Sequence, residues 1–587
     1  MHRHAHEEYY LVDDVIVGQD TEGRACRRQP TTVEKERQFQ FSRLGPKGTD
    51  LDDATLQAIA EAMTATTVDH PDAEGVPAGY TYLGQFIDHD MTKDVTGKAL
   101  GTELTVEALL QGRSPALDLD SLYGRGPWHL YDRKYYSGDA HLRMGVTAAV
   151  GFPTDPVIQS DRPGFDLPRV GVDPTRVQTA ADKREPLIPD ARNDENLAVA
   201  QTHLAFIRFH NGVVDTLAEE GVAEEDQFEQ ARRIVVQHYQ WMLKTDYLPR
   251  IVDPEVVDDV FANGRRFFEP DAPFPECRPT MPIEFSVAAF RLGHSMVRGG
   301  YQWNKVFSTG GIGPASLLQL FAFSGVSGAL ANLKLAQLSD PDAAPTALRL
   351  PTNWIADFGR LFDFGEAQRP ELTPDEGPNP AKRIDTGLVD PLADLPAGSF
   401  GGKPPEAPSP ALQHNLAFRN LKRATMVDVA SGQQLAAMFG VEPLSRDEIL
   451  TGSGSVVITG LSDEREKELL AATPLWFYVL REAELHGGRM HGVGARIVAE
   501  VFHRAMEGSR TSIVREPDWR PALGPDSNTF RMVDLLLHAA NGRADVINPL
   551  GTAAVTPPGA VPAAVPEPSA PAPRAPGDQP VPLAPRS

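Results

Sequence analysis

Apolar and polar positions alternate along most of this chain with the spacing of amphipathic helices. Apolar side chains recur three and four residues apart, which places them on one face of an α-helix. The pattern occurs near residues 55–66, 80–91, 195–220, 226–246, 281–298, 411–422, 430–439, 463–484, 490–507 and 530–540. Strand patterns are few and short. The sequence therefore predicts a mainly α fold, built as a single large helical domain with few short strands.

Both ends of the chain and one internal segment depart from this pattern. Residues 1–45 are polar and mixed, and we predict that they form an N-terminal arm. Residues 551–587 contain 11 Pro, 9 Ala and no aromatic residue, so they cannot bury enough apolar area to offset their ordering entropy, and a disordered tail is predicted. The domain then spans residues 46–550, with a Pro-rich surface loop at about 370–410.

Composition and charge narrow the class of protein. The 587 residues are 41% hydrophobic and 23% charged, as in an ordinary globular chain. A net charge of -24 should repel phosphate backbones, so we expect no nucleic-acid partner. The sequence contains no run of 18 apolar residues, so we predict no membrane-spanning helix. The N-terminus has no signal-peptide core, so a cytoplasmic location is the default expectation, with non-classical secretion as the alternative.

The segment 84–90, GQFIDHD, concentrates chemically active side chains within one predicted helix. Gln85 and His89 are one turn apart and share a face, with Asp88 beside them. Asp90 lies about 100° further round the helix and must point elsewhere. One turn thus offers a base, an amide and a carboxylate to one site, and a second carboxylate to another. The alternative is a solvated helix end, which the flanking apolar residues disfavour.

Oxygen-bearing residues alternate in the segment 114–120. Ser114, Asp118 and Asp120 could bind a hard cation, and backbone carbonyls such as that of Ala116 could complete the ligand set. Ca²⁺ prefers six to eight such oxygen atoms. The spacing is not that of an EF-hand, and a bare polar turn is the alternative interpretation.

Three further clusters carry polar groups on predicted helices. Arg192 and Glu195 are i,i+3 partners, which alone would indicate a surface ion pair worth well under about 1 kcal/mol. His294 stands beside a glycine in an apolar stretch, where it is either a packed core residue or a metal ligand. Asn420 and Arg423 again share one helix face.

Five motifs, in order between residues 84 and 423, resemble those of the animal-type haem peroxidases of the peroxidase–cyclooxygenase superfamily, and among them the bacterial members, and weaker matches continue to about residue 540. They are GQFIDHD, SPALDLDSLYG, ARNDENL, AFRLGHSM and RNLKR. The resemblance implies a haem-peroxidase-like helical domain. It also implies a haem-dependent peroxidase that reduces H2O2 through an oxoferryl intermediate and oxidises a halide, a pseudohalide or a small organic donor.

The resemblance assigns roles around a haem b. His294 would be the proximal ligand of the iron, and Asn420 would accept a hydrogen bond from its other ring nitrogen. His89 would be the general acid–base on the opposite face, and Arg192 would stabilise negative charge as the O–O bond breaks. Gln85 would line the distal pocket.

The remaining implied contacts concern the haem edge and a calcium ion. Arg291 and Arg423 would pair with the haem propionates. Asp88 and Glu195 occupy the positions that can form ester bonds to haem methyl groups in the family. The implied calcium ligands are Asp90, Ser114, Ala116 through its carbonyl, Asp118 and Asp120.

Departures from the family pattern shape the expected chemistry. Asn196 stands where myeloperoxidase-like members have a Met that forms a sulfonium link, so bromide, iodide, thiocyanate or organic donors are expected rather than chloride.

The nearest alternative is a haem fatty-acid dioxygenase, but the Tyr that such enzymes carry three residues before the proximal His is Arg291 in this chain. A metal-dependent phosphohydrolase using Asp88, His89 and Asp90 is an alternative of another class. A haem protein without turnover is a third, disfavoured because all the implied catalytic residues are present. The sequence leaves the donor, the biological role and the oligomeric state open.

Overall fold

A computed structural model gives the fold of the chain for most of its length. The described residues are 9–12, 15–19, 25–28, 40–65, 70–98, 100–150, 156–175, 177–272, 278–328, 348–395 and 414–551. Nearly all of the predicted C-terminal tail, most of the N-terminal arm and the second part of the predicted Pro-rich loop lie outside the described residues.

Helices dominate the architecture, and the predicted mainly α fold is confirmed. The α-helices are α1 Asp53–Met63, α2 Gly79–Met91, α3 Asp120–Tyr123, α4 Ala180–Arg184, α5 Leu197–Glu219, α6 Glu224–Met242, α7 Leu248–Ile251, α8 Pro254–Asn263, α9 Ile283–Ser286, α10 Leu317–Ala322, α11 Leu416–Thr425, α12 Gly432–Phe439, α13 Arg446–Leu450, α14 Asp463–Ala471, α15 Leu475–Leu485, α16 Gly492–Glu507, α17 Met532–Ala539 and α18 Ala544–Ile547. Two 3-10 helices that matter for the site are Ala191–Asp194 and Ala289–His294, and a π-helix, Leu243–Tyr247, joins α6 to α7.

The strands are short and form small sheets at the periphery of the helices. They are β1 Tyr9–Val12, β2 Val15–Gln19, β3 Ala25–Arg28, β4 Phe41–Ser42, β5 Asp72–Pro77, β6 Tyr136–Ser137, β7 His141–Leu142, β8 Gly145–Val146, β9 Pro163–Asp166, β10 Met281–Pro282, β11 Gly300–Tyr301, β12 Ala315–Ser316 and β13 Pro380–Lys382. β1, β2 and β3 form an antiparallel three-stranded sheet within the predicted N-terminal arm. The other strands pair in twos, parallel for β4 with β10 and antiparallel for the rest.

Helix α5 runs through the centre of the core and positions α2. Its first eleven residues, 197–207, are all buried, as expected of a helix surrounded by other elements. Phe86 of α2 stacks on Phe206 of α5, with ring centroids 4.5 Å apart and planes 11° from parallel. This contact fixes α2 against α5, so the remaining face of α2 is free to line a cavity.

Two predicted helices are interrupted in the structure. The segment 463–484 is divided into α14 and α15, because Pro474 disfavours helical backbone in the residue before it. The segment 281–298 begins with β10 and then ends its α-helix at Ser286. The Ser286 carbonyl accepts a hydrogen bond from Arg291 Nε, whereas a continuing α-helix would have used that carbonyl for the N–H of Phe290. The chain resumes as a 3-10 helix that ends at His294.

The described part of the Pro-rich stretch is packed rather than looped over the surface. Its strand β13 pairs with β5, and Leu372, Ile384 and Leu388 between the prolines are buried. The surface loop predicted at 370–410 is therefore wrong for residues 370–395. These apolar side chains anchor the segment despite its proline content.

Within the described residues, no helix combines the length and the apolar character needed to cross a bilayer.

Candidate functional site

One cavity of about 460 Å³ is lined by both of the histidines that the sequence singled out. His89 comes from α2 and His294 from the end of the 3-10 helix Ala289–His294. The same cavity is lined by the other side chains predicted to bind or act on a haem: Gln85, Asp88, Arg192, Glu195, Arg291, Asn420 and Arg423. Residues from four separate parts of the chain thus converge on one space of the size typical for a cofactor site.

Close packing of Tyr247 against Gly84 holds in place the face of α2 that carries Gln85, Asp88 and His89. A Cβ atom at Gly84 would collide with the Tyr247 hydroxyl, so only glycine allows Tyr247 to lie against this turn. Tyr247 belongs to the π-helix, an irregularity found mostly at functional sites. The tight contact places Gln85, Asp88 and His89 along the cavity.

The tautomer of His89 follows from its partner. His89 is buried, and its Nδ1 lies 2.8 Å from Asn193 Oδ1. An amide oxygen can only accept, so Nδ1 carries the proton and Nε2 keeps its lone pair. Burial, together with the nearby Arg192 guanidinium, lowers the pKa of His89 to about 3. His89 is therefore a neutral imidazole whose Nε2 lone pair is free of a proton.

Sequence reasoning missed the support behind His89. Asn193 Nδ2 lies 2.9 Å from His203 Nδ1, so His89, Asn193 and His203 form one buried row of hydrogen bonds. Because Asn193 donates through Nδ2, its Oδ1 is held toward His89. Asn193 follows the predicted arginine directly in the chain and could have been noticed. His203 comes from α5 and gave no sequence signal.

Arg192 is held rigidly at the edge of the cavity. Its Nε and Nη2 donate to Asp190, and Nη2 also donates to the backbone carbonyls of His89 and Thr92 at 3.0 and 2.7 Å. Burial alone would raise the pKa of Asp190, but Arg113 and Arg192 hold it well below its usual value. The ionised Asp190 thereby fixes the guanidinium beside the C-terminal turn of α2.

Two carboxyl groups face the cavity from its distal wall. Burial raises the pKa of Asp88 above its usual value and that of Glu195 to about 7, although Arg192 opposes both shifts. Asp88 accepts a hydrogen bond from the Thr92 hydroxyl at 3.1 Å. Both positions implied for haem esters line the cavity, with Glu195 buried and Asp88 half-buried.

Asn420 contacts the proximal histidine with the opposite polarity to the one predicted. Its Nδ2, not its Oδ1, lies 2.9 Å from His294 Nδ1, because Oδ1 accepts a hydrogen bond from Arg291 at 2.6 Å. Burial, then Arg291, lowers the pKa of His294 to about 3, so the imidazole is neutral. Metal binding through Nε2 needs the proton on Nδ1. For His294 to bind a metal in this way, the Asn420 carboxamide would have to flip by 180° so that its Oδ1 accepts from His294 Nδ1. Arg291 would then need another hydrogen-bond acceptor.

The surroundings of His294 leave room for a flat group. A Cβ atom added at Gly293 would meet nothing within 4 Å, and Gly293 lines the cavity. Trp476 supports the other side, since its indole N–H donates to the Arg291 carbonyl at 3.3 Å and its ring stands 81° from that of His294. The second predicted propionate partner, Arg423, pairs with Asp94 at 3.2 Å at the cavity edge.

The residues implied as calcium ligands meet beside the C-terminal end of α2. Asp90 accepts from the backbone N–H groups of Leu119 and Ser121, each at 3.2 Å, and Asp120 accepts from the Ser114 N–H at 3.1 Å. Ser114 Oγ and Asp120 Oδ1 are buried and find no hydrogen-bond partner among the described residues. The loop is shaped by Leu119, which adopts a left-handed backbone with φ 58°.

The charges in this loop favour a cation. Burial, with the neighbouring Asp120 and Asp118, raises the pKa of Asp90 well above its usual value, and burial raises that of Asp120 to about 6. Asp118 and Ala116 are buried beside them. In the part of the chain that the structure describes, no three His, Cys, Asp or Glu side chains are arranged to hold a metal ion by themselves, so hydroxyl and carbonyl oxygens would be needed.

Asp88, His89 and Asp90 do not converge on one point. Asp88 and His89 line the cavity, whereas Asp90 is bound by the loop that contains Leu119 and Ser121. The arrangement therefore gives no support to the phosphohydrolase alternative.

The helical fold is shared with solved structures of a peroxidase and of fatty acid alpha-dioxygenases. The fold is similar to peroxidase A from Dictyostelium discoideum, with a TM-score of 0.53 and 16% identity over 87% of this chain and 94% of that chain. It is also similar to the fatty acid alpha-dioxygenase of Arabidopsis thaliana, with a TM-score of 0.50 and 13% identity over 86% of this chain and 78% of that chain. At these identities the likeness concerns the fold alone.

Sequence comparison identifies the family. Residues 105–317 match the sequence model of the animal haem peroxidase family. A peroxidase-like protein from Margaritifera margaritifera is 33% identical over 111 residues, which is 19% of this chain and 14% of that protein. The predicted resemblance to the animal-type haem peroxidases is confirmed, and the chain carries an animal haem peroxidase domain. Its place among the bacterial members stays a prediction.

The family that residues 105–317 match implies a haem, and the cavity fits one. Two neutral imidazoles from different elements line it, Gly293 leaves open space beside His294, and cationic side chains at its edge could meet carboxylates.

Proposed function

We propose that this protein is a haem-dependent peroxidase that reduces H2O2 and oxidises a small donor. The observation that carries the proposal is the pairing of His89 with Asn193, which leaves an unprotonated Nε2 at a cavity whose lining includes a second neutral imidazole. His294 would hold the haem through Nε2, and a bound haem would supply the redox chemistry that couples oxidation of the donor to reduction of peroxide.

The chain's own residues supply the proton transfers. His89 Nε2 takes the proton from the near oxygen of H2O2 and returns it to the far oxygen, so that the O–O bond breaks with water as the leaving group. Arg192 stabilises the negative charge on the departing oxygen, because Asp190 and two carbonyls hold its guanidinium beside His89. Asn193 keeps the imidazole in the tautomer that accepts the proton.

A bound Ca²⁺ ion is part of the proposal. Asp90, Asp118, Asp120, Ser114 and the Ala116 carbonyl would ligate it. The support is the buried Ser114 Oγ and Asp120 Oδ1, which have no hydrogen-bond partner in the described part of the chain, next to acidic groups that burial and mutual repulsion disfavour as free anions. The ion would tie the loop to α2 directly after His89.

Ester bonds from Asp88 and Glu195 to the haem are proposed to form during reaction with peroxide. Both carboxyl groups line the cavity, and burial raises the pKa of each. Asn196 cannot form the sulfonium link of its Met-bearing relatives, so we propose bromide, iodide, thiocyanate or small organic molecules as donors. The predicted cytoplasmic location stays part of the proposal.

A haem fatty-acid dioxygenase is the second candidate, since the fold also resembles the plant dioxygenases. Arg291 disfavours it. Its guanidinium donates to Asn420 and it occupies the position where such enzymes would need a Tyr.

The experiment that tests the proposal is a steady-state assay of hemin-loaded protein with H2O2 and bromide, iodide, thiocyanate or phenols. We expect turnover with at least one donor, and a loss of about 10²–10⁴-fold in His89→Ala with its haem spectrum retained. Oxygen uptake with an unsaturated fatty acid and no added peroxide would favour the dioxygenase instead. Full peroxide reactivity in His89→Ala would remove His89 from the mechanism.

A further inference from the structure

Asn196 has a fixed orientation because it begins α5. Its Oδ1 accepts a hydrogen bond from the Val199 N–H at 2.9 Å, the contact of a helix N-cap. The side chain is 2% exposed, so it has little freedom to adopt another rotamer. Since the cap needs an acceptor, the oxygen must face the helix and Nδ2 must point away from it.

The orientation of Asn196 dictates that of Gln85. Asn196 Nδ2 lies 2.9 Å from Gln85 Oε1. Nδ2 can only donate, so Gln85 presents its oxygen to Asn196 and turns its NH2 group away. Among the described residues, no protein group accepts a hydrogen bond from Gln85 Nε2, and both residues line the cavity with His89.

We infer that Asn196 is a positioning residue that holds the Gln85 carboxamide with its NH2 group toward the cavity, and that it thereby selects a small anionic donor such as a halide or thiocyanate. The inference rests on the proposed function and deepens it. An N–H donor at a cavity that Arg192 also lines favours an anion, whereas a reversed amide would present an oxygen and repel one.

Asn196 has two roles, and substitution separates them. Asn196→Ser keeps a capping oxygen but removes the donor to Gln85. Asn196→Asp also keeps the cap, and its carboxylate would accept from Gln85 Nε2, which turns the Gln85 oxygen toward the cavity. The control is Gln85→Leu, alone and combined with each Asn196 variant, because in that background Asn196 has no amide to position.

The experiment measures the Kd of bromide and of thiocyanate for hemin-loaded ferric protein by titration of the Soret band. We expect Asn196→Ser to raise both Kd values about tenfold, the effect of losing one hydrogen bond to an ion. Asn196→Asp should raise them further. In the Gln85→Leu background, Asn196→Ser should change them less than about twofold, because residues that act through one another are not additive. The double variant Gln85→Leu with Asn196→Asp measures how much the added negative charge alone changes the Kd of each anion. The KM for bromide should rise with the Kd.

Two results would overturn the inference: Kd values in Asn196→Ser within about twofold of the wild type, or an equal rise in both backgrounds, which would show a general effect of the cap. Thermal unfolding checks that each variant is folded. If the serine variant does not fold, Asn196→Asp with its Gln85→Leu partner decides by the same comparison. Wild-type protein that binds anions but does not reduce peroxide would contradict the proposed function and leave this inference standing. Wild-type protein that binds no hemin would remove both.

Discussion

The two walls of the cavity hold their histidines in opposite ways. On the distal side, His89 Nδ1 faces the oxygen of Asn193, and His203 fixes that amide from behind. On the proximal side, His294 Nδ1 faces the nitrogen of Asn420, because Arg291 occupies the amide oxygen. The distal tautomer is built into the fold. The proximal tautomer depends on which acceptor Arg291 uses, and a haem propionate would be such an acceptor.

This difference predicts unequal consequences when each wall is changed. The proximal wall should control whether haem binds, and the distal wall should control how fast peroxide reacts.

Loss of the proximal ligand should have the largest effect. In His294→Ala we expect hemin affinity to fall by more than the roughly 10–100-fold that follows loss of an outer partner of a metal ligand. The measurement is a hemin titration followed at the Soret band, with His89→Ala as the control that retains affinity. Equal affinity in His294→Ala and wild type would show that another residue binds the iron.

Calcium removal should weaken the distal wall more than the proximal one. An ion present at 100 times its Kd contributes about 2.7 kcal/mol, so chelation should lower the Tm of a domain of about 500 residues by roughly 2–3 °C. Peroxide reactivity should fall with it, because Asp90 follows His89 directly on α2.

The control for chelation is the addition of Mg²⁺ and then Ca²⁺, of which only Ca²⁺ should restore the Tm. Asp120→Asn should make the Tm insensitive to chelation. An unchanged Tm and unchanged activity in fully chelated wild-type protein would contradict the calcium site.

Removal of the distal acceptor should reduce the rate without reducing haem binding. In Asn193→Leu, His89 loses the oxygen that fixes its tautomer, and we expect the rate of reaction with peroxide to fall roughly 10–100-fold. Asn193→Asp keeps an acceptor and is the matched control. If the Leu and Asp variants reacted equally fast, Asn193 would have no part in holding His89.

A smaller effect should follow when the proximal wall is made to resemble the distal one. In Asn420→Asp, one carboxylate oxygen can accept from Arg291 while the other accepts from His294 Nδ1. The more basic imidazole should favour ferric iron and lower the midpoint potential by about 59 mV for each tenfold preference. A potential equal to or above that of the wild type would show that Asn420 does not control the basicity of His294.

Short-range patterns predicted much of this molecule. Residues 80–91 were predicted as a helix because their apolar positions have helical spacing, and the structure forms α2 there. The spacing of Gln85 and His89 also placed them correctly on one face. Residues 281–298 were mispredicted as a helix, because a side-chain contact from Arg291 to the Ser286 carbonyl interrupts it, and no periodicity encodes such a contact.

In the candidate site too, the sequence predicts features that depend on neighbouring residues but not those that depend on contacts between distant elements. Motif residues such as Arg192 and His294 could be assigned from their neighbours in sequence and from family resemblance. His203 lies on another element, and its role behind Asn193 depends on packing between that element and the 3-10 helix. The polarity of Asn420 could not be predicted either, since it depends on competition between two donors for one amide.

The most direct test is a structure of the hemin-loaded protein. We predict iron bound to His294 Nε2, His89 on the opposite face of the porphyrin, and Arg291 moved from the Asn420 oxygen to a propionate. Iron bound to any other residue, or both imidazoles on the same face, would contradict the account.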